Sequence, residues 1–545
     1  MKKFLSLIAL ILSLCFLLSG CSPQLFYQLL QQLQGGSSFS QMVYTRPDTD
    51  ALESAMEAAC RAADSGSTDD TLDAIFTYYD VYDSFSTNCQ LAYIRYCQNT
   101  ADLYWQQENS YCLEVEHLPD TSLDALYEHL SNSAIRQDLE EKYFGEGFFD
   151  YYFIEGNTAP PEAFLELLEE ESALLDQYYT LSTEAEGLEY YSEDYFSAYF
   201  TPMTELLVEM IRLRQEIAQA AGYDDYAQFA FDYYYSRSYT PEQVKNYLLT
   251  VGSAMAPLYQ QLGQIGYPEL DYCSSQETYN YLKEATTNMG DSLAEAFDFL
   301  ERNGLYDIEY SETKAPTTFE VYLWSYDAPF VFVDPYLDQA DKLSFAHEFG
   351  HFANDYICGG SYANIDVAEV HSQGLEYLSL CYTENSEDLA YYKLAESLCV
   401  YVEQAAYALF ELEAYSLTGD QLTAENVAKL YEDIGQAFHF DSFQWDPRDL
   451  ICITHFYSDP MYVLSYVSSN DLAMQLYELE LDAPGDGLDL YKQFIEQGEE
   501  NLEAFVETYG FTDPMTAERV AEAAAFFTSH LLQEKGPGTQ PGPFL

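Results

Sequence analysis

The sequence predicts a mainly α-helical protein with one small β-hairpin set directly before its most informative helix. Three observations predict it. Apolar residues recur at i, i+3 and i+4 over most of the chain. Helix-starting residues with acidic first turns precede several of these runs. Only one region is β-branched and aromatic in two short, turn-separated stretches.

The helical runs cover residues 50–63, 161–181, 277–302, 388–418, 423–438 and 516–532. Thr240-Pro241-Glu242 reads as an N-cap, a proline at the first helical position and an acid after it. The hairpin pairs residues 317–324 with 330–333 across Ser325-Tyr326-Asp327-Ala328-Pro329. A strand there offers an edge on which an extended peptide can be held by backbone hydrogen bonds. No repeat of fixed period is present.

Composition narrows the class. The 545 residues are 48% hydrophobic and therefore globular. There are 52 tyrosines, far more than any site uses, so most are helix-packing residues with a polar tip. Against 92 acidic residues stand 21 basic ones, a formal charge of −71. Such a surface repels phosphate backbones and excludes nucleic-acid binding.

The first 20 residues read as a lipoprotein signal peptide. Lys2 and Lys3 precede an apolar stretch from Phe4 to Leu18, too short to span a bilayer comfortably. Leu18-Ser19-Gly20-Cys21 resembles a bacterial lipobox, which makes Cys21 a lipid-anchored first residue outside the cytoplasm. Residues 21–46 are rich in Gln, Ser and Gly and read as a flexible tether. An N-terminal helical region, 47–202, a catalytic region, 203–535, and a Gly/Pro-rich disordered tail, 536–545, follow. Nine cysteines remain beyond Cys15 and Cys21. None has metal-site spacing, so they read mainly as core residues, with room for one or two disulfides.

The chemistry sits in Leu343-Ser-Phe-Ala-His347-Glu348-Phe-Gly-His351. On a helix, His347 and His351 stack one turn apart and converge on one ion, with Glu348 beside it to handle a water. A random chain of this composition holds HExxH on the order of once in a hundred tries, so context matters. One zinc needs a third protein ligand and an open position. The spacing that would supply a third histidine fails, because Asn354 and Ile357 stand where Gly and His are required. Carboxylate candidates are Asp355, Asp366, Glu369 and Glu376. Asp355 lies a further turn along the same helix, away from the ion. Glu369, on a second helix, allows a short loop and an antiparallel return. Glu376, two turns on along the same face, suits a partner that orients a ligand. His371 faces away and reads as structural. His117, His129, His439 and His530 show no ligand spacing.

These residues, with Val367-Ala-Glu369-Val-His-Ser372-Gln373-Gly-Leu-Glu376, resemble the M3 family of metallopeptidases, the thimet oligopeptidase and oligoendopeptidase F group. The oligoendopeptidase branch is the most similar. Further likeness lies in Ile211-Arg212…Gly222-Tyr223, in Phe330-Val-Phe332, and in Trp445…His455-Phe-Tyr457…Pro460-Met-Tyr462…Tyr466. The resemblance implies a two-lobed helical shell around a deep substrate channel, with zinc at its base. It places Glu369 at the third-ligand position. It assigns His455, Tyr462 and Tyr466 to the segment that binds substrate and the developing oxyanion. Two departures fall on the substrate-facing loop: Thr317-Thr318-Phe319 replaces a glycine-rich stretch, and Asp334-Pro335 stands where Asn is common.

The implied activity is zinc-dependent hydrolysis of short peptides, with Glu348 as general base. The competing readings are a lipid-anchored peptide-binding protein without turnover, a structural surface protein, and a dipeptidyl carboxypeptidase on the same scaffold.

Overall fold

The computed structural model describes residues 38–149, 162–184, 192–360, 364–496 and 501–532. The signal segment, Cys21, the first part of the tether and the tail expected from the sequence lie outside these residues.

Helices dominate, as the periodicity predicts. The run at 50–63 becomes Thr49–Ser65, capped by the Asp48 side chain. Pro241–Ile265 starts in a full capping box, in which the Thr240 hydroxyl and the Gln243 side chain satisfy each other's backbone N–H. The single run at 277–302 is two helices, Ser275–Met289 and Asp291–Asn303. Gly290, at φ +69°, makes the break between them.

The hairpin forms and gains a third strand. β1 (Tyr306–Asp307) pairs parallel with β3 (Ala328–Phe332), and β3 pairs antiparallel with β2 (Phe319–Leu323). The order β1-β3-β2 leaves β2 at an edge. β1 is two residues long and too short to leave a sequence pattern. Lys314, almost fully buried, fastens it: its ammonium donates to the Asp307 carboxylate at 2.8 Å and to the Val333 carbonyl at 2.6 Å.

The core has three parts. Helices before residue 150 build one around Leu52, Ile75, Tyr78 and Leu126. A second surrounds the sheet and the HExxH helix, Asp341–Cys358. The third and largest joins Pro241–Ile265, Glu387–Tyr415 and the C-terminal helices. Thr68–Gln98 links the first two, burying Leu91, Ile94 and Cys97 against the sheet. The last residues assigned to the tether are packed: Phe39 is buried, its ring 4.2 Å from Phe330. The nine cysteines among the described residues are free thiols, four of them buried.

One contact sets the position of everything that follows. The HExxH helix lies against Ile365–Cys381, which in turn packs on Leu464–Asp482. At their closest approach stands Gly350, where a Cβ would fall 2.5 Å from the His371 carbonyl oxygen and 2.6 Å from the Ser372 Cα. Both obstacles are backbone and cannot swing away. Gly350→Ala is therefore expected to lower stability by about 1–3 kcal/mol or more, the cost of overpacking a core contact. A lowered unfolding midpoint checks this; an unchanged midpoint contradicts it.

Candidate metal centre and active site

The HExxH helix presents His347 and His351 on one face, their rings 5.2 Å apart and steeply inclined at 78°. Because Gly350 admits Ile365–Cys381, Glu369 comes opposite them. Glu369 Oε2 lies 3.5 Å from His347 Nε2 and 4.0 Å from His351 Nε2. Ligand atoms of the three residues all fall within 4.8 Å of one another. Two imidazoles and a carboxylate facing one another are a donor set that would hold one divalent ion.

The chemistry of the donors fits a metal. His347 Nδ1 is taken by Glu376 Oε1 at 2.8 Å, so Nε2 is the nitrogen that would coordinate, once an ion displaces its proton. Glu376 is in turn held by Lys393, whose ammonium sits 2.7 Å from Oε2. Burial opposes ionisation of Glu376, but Lys393 and His347 keep its carboxyl below the usual range. In the metal-free chain the two imidazoles part. Burial disfavours a charged His347, but the Glu376 hydrogen bond outweighs it and pushes the pKa up to about 9. Burial and the neighbouring His347 charge press His351 down to about 3. His351 is thus a neutral imidazole, the form that binds metal.

Glu348 is buried in the wall beside the two histidines. Burial raises its carboxyl to about 7, with Glu369 and Glu376 adding to the rise and His347 opposing it. A cavity of about 610 Å³ opens here, lined by Glu348, His347, Gln373, Lys393 and Tyr466 among others.

The other ligand candidates are engaged elsewhere. Asp366 binds Arg237 through both carboxylate oxygens, at 2.8 and 2.9 Å. Asp355 is not part of the group around the histidines. His371 is buried and stacks on Phe494, as a structural residue does. His129 pairs with Asp64, and His530 bonds the Phe526 carbonyl within its own helix.

His455, Tyr462 and Tyr466 come together beside Glu369. The His455 ring stacks on Tyr462 at 4.9 Å and 3°, and Tyr466 lies 5.3 Å from Tyr462. The Tyr462 hydroxyl donates to Glu369 Oε1 at 3.4 Å. Burial, then the Glu369 charge, raises both phenols, so each keeps its proton. Of the two tyrosines only Tyr466 is helical; Tyr462 lies in the turn before Leu464–Asp482, and His455 opens the short helix His455–Ser458.

That turn is fixed by residues the sequence did not single out. Met461 holds φ +69°, an uncommon conformation for a residue with a side chain. Its N–H donates to Glu411 Oε1 at 2.8 Å, and its carbonyl accepts from Arg237 Nη1 at 2.7 Å. Burial pushes the Glu411 carboxyl up to about 8. The Tyr235 hydroxyl holds the Pro460 carbonyl at 2.8 Å. Arg214, buried, donates to the Phe456 and Tyr457 carbonyls. The signals available were lone basic residues in a chain with very few: Arg214, Arg237 and Lys393 are all buried.

Comparison with known proteins bears on the fold. Residues 39–154 match the Peptidase M3 N-terminal domain. The match covers the first helices, ahead of the metal set. No curated protein matches the chain by sequence. Among solved structures, PZ peptidase A with inhibitor 2 superposes with a TM-score of 0.74 at 18% identity, over 90% of this chain and 99% of that one. A protein assigned as oligoendopeptidase F from Bacillus anthracis str. Ames gives 0.71 at 18%, over 91% and 98%. A Pyrococcus furiosus carboxypeptidase gives 0.53 at 12%, over 89% and 100%. At these identities the likeness is one of fold. The chain has the mainly helical, oligoendopeptidase F-like fold with a three-stranded sheet.

The Arg237–Asp366 pair bridges the Glu369 helix and the Tyr462 turn, and both side chains are almost completely buried. Arg237→Ala leaves Asp366 as an uncompensated buried charge and is expected to cost about 3–5 kcal/mol. Denaturant unfolding measures this; a loss under about 1 kcal/mol would show that the pair is replaceable by water.

Proposed function

We propose that this chain is a zinc-dependent M3-type endopeptidase that hydrolyses short peptides outside the cytoplasm, tethered through a lipid on Cys21. The observation that carries the catalytic reading is the convergence of His347, His351 and Glu369, with His347 and Glu348 both lining the adjoining cavity. The M3 N-terminal match and the fold support the same reading. The anchor rests on Lys2, Lys3, the apolar stretch and the lipobox-like Cys21. No helix among the described residues is long and apolar enough to cross a membrane.

His347, His351 and Glu369 would hold one divalent ion, which when bound supplies Lewis acidity toward water and the scissile carbonyl. The remaining steps belong to the chain's own groups. Glu348 takes a proton from the attacking water and returns it to the leaving amine; a carboxyl near neutrality is suited to both transfers. Glu376, fixed by Lys393, holds the His347 ring and its tautomer. Tyr462, Tyr466 and His455 present donors to the carbonyl oxygen as negative charge develops on it. The Tyr462 hydroxyl makes a long bond to Glu369 and meets the Tyr466 hydroxyl, which keeps the two phenols together beside the metal set. The outer edge of β2 pairs with no strand among the described residues, so an extended peptide can lie along it.

Turnover of a defined mixture of blocked oligopeptides tests this. The wild-type chain is expected to cut internally. Tyr462→Phe or Tyr466→Phe should lower kcat about 10²–10³-fold with little change in KM, the usual cost of one oxyanion donor. Glu348→Gln should be nearly inactive with its metal retained. Release of dipeptides only from free C-termini would replace the endopeptidase reading by a dipeptidyl carboxypeptidase. Binding without cleavage would replace it by a peptide-binding protein.

A further inference from the structure

The cavity next to Glu348 continues along one stripe of the Glu387–Tyr415 helix, through Lys393, Glu396, Val400 and Gln404. These positions, separated by three, four and four residues, share a helix face. The same lining includes Asp338, in the loop ahead of the HExxH helix, and Gln373, one turn beyond Glu369.

This lining is rich in acceptors that lack donors. Gln373 is 6% exposed, and its amide orientation is fixed by its neighbour. The Ser469 hydroxyl donates to the Ser465 carbonyl at 2.5 Å, so Ser469 Oγ must accept from Gln373 Nε2, at 3.2 Å. Gln373 Oε1 is thereby turned away from Ser469 and has no hydrogen-bond partner. Gln404 Oε1 is likewise buried without one. Buried acceptors of this kind are rarely left unsatisfied in a working protein, and those lining a cavity point to a ligand that brings the donors.

The charge of the same lining selects the kind of donor. The cavity carries the carboxylates of Asp338, Glu348, Glu376 and Glu396, against Lys393 as its one lysine or arginine among the described residues. Lys393 is already divided between Glu376 at 2.7 Å and Glu396 at 2.9 Å. A divalent ion at the metal set adds two positive charges next to Glu369 and Glu348, which offset them. The wall beyond keeps its negative surplus. A neutral apolar side chain entering here would strand two amide oxygens, and an acidic one would also meet like charge.

We propose that Gln373, Gln404, Glu396 and Asp338 form a specificity subsite for a substrate side chain carrying N–H donors and positive charge, lysine or arginine. The proposal rests on the peptidase reading for its substrate, and its test separates the two. Blocked peptides identical except at one position carry lysine, arginine, norleucine or glutamate there, and the position is moved stepwise along the peptide. At one position lysine or arginine is expected to give at least about ten-fold higher kcat/KM than norleucine, because a site built for hydrogen bonding rejects an analogue that lacks the donor. Glutamate at that position should be slower still. Gln373→Met, Gln404→Leu and Glu396→Gln should each bring the lysine-to-norleucine ratio toward one. Equal rates for lysine and norleucine at every position, or a ratio that all three variants leave unchanged, overturn the subsite while the peptidase reading stands. If no peptide is cut, that reading fails, and fluorescently labelled lysine and norleucine peptides are titrated onto the protein instead. Tighter lysine binding that the variants abolish upholds the subsite, and equal binding overturns it.

Discussion

The close approach of the HExxH helix to Ile365–Cys381 is the constraint on which the site depends. A helix can place two histidines one turn apart by itself. It cannot supply a third ligand facing them, because its own next turn, at Asp355, points along the axis rather than across to the ion. The third ligand has to arrive from another helix, and its reach is set by how near the two backbones come. Gly350 removes the side chain that would hold them apart. Glu369 then stands within 4.0 Å of both imidazoles, and Glu376, two turns further, meets the outer nitrogen of His347. One small residue thus serves the ligand, its orienting partner and the cavity wall.

The same helix is tied to the Tyr462 turn by charge rather than by shape. Asp366 precedes Glu369 by one turn and grips Arg237, which also holds the Met461 carbonyl. Such pairs gain little over an apolar core in stability, since desolvation consumes much of the Coulomb attraction. Their value here is positional. A left-handed backbone at Met461, held at both its N–H and its carbonyl, fixes where the Tyr462 ring emerges beside Glu369. The surplus of acid elsewhere explains why these few basic residues are informative. In a chain of 21 basic and 92 acidic residues, a buried arginine or lysine is committed to a specific carboxylate or carbonyl.

Much of this was legible in the sequence, for physical reasons. Helical periodicity, the Thr240 cap and the β-branched hairpin are local signals, and the corresponding elements form. His347 and His351 are fixed by one helix, so their convergence follows from spacing alone. Glu369 was one of four candidate carboxylates, and tertiary packing separates it from Asp366, which Arg237 claims. What the sequence hid is long-range. β1 is two residues long and exists only because β3 lies beside it. Lys393, Arg237 and Glu411 sit in ordinary helical or turn contexts, and their roles come from partners 17, 129 and 50 residues away. Tyr462 and Tyr466 are four residues apart, but only Tyr466 is helical, because the turn that holds Met461 runs on through Tyr462 before the helix begins at Leu464.

The account stands or falls on whether His347, His351 and Glu369 hold a metal together. The direct measurement is the zinc content per chain, by elemental analysis after loading and removal of loosely bound ion, for the wild type and for His351→Ala, Glu369→Ala and Asp366→Asn. The account predicts one zinc in the wild type, retained in Asp366→Asn and largely lost when either His351 or Glu369 is removed. Full zinc occupancy in Glu369→Ala, or a wild-type chain that retains none, would contradict it.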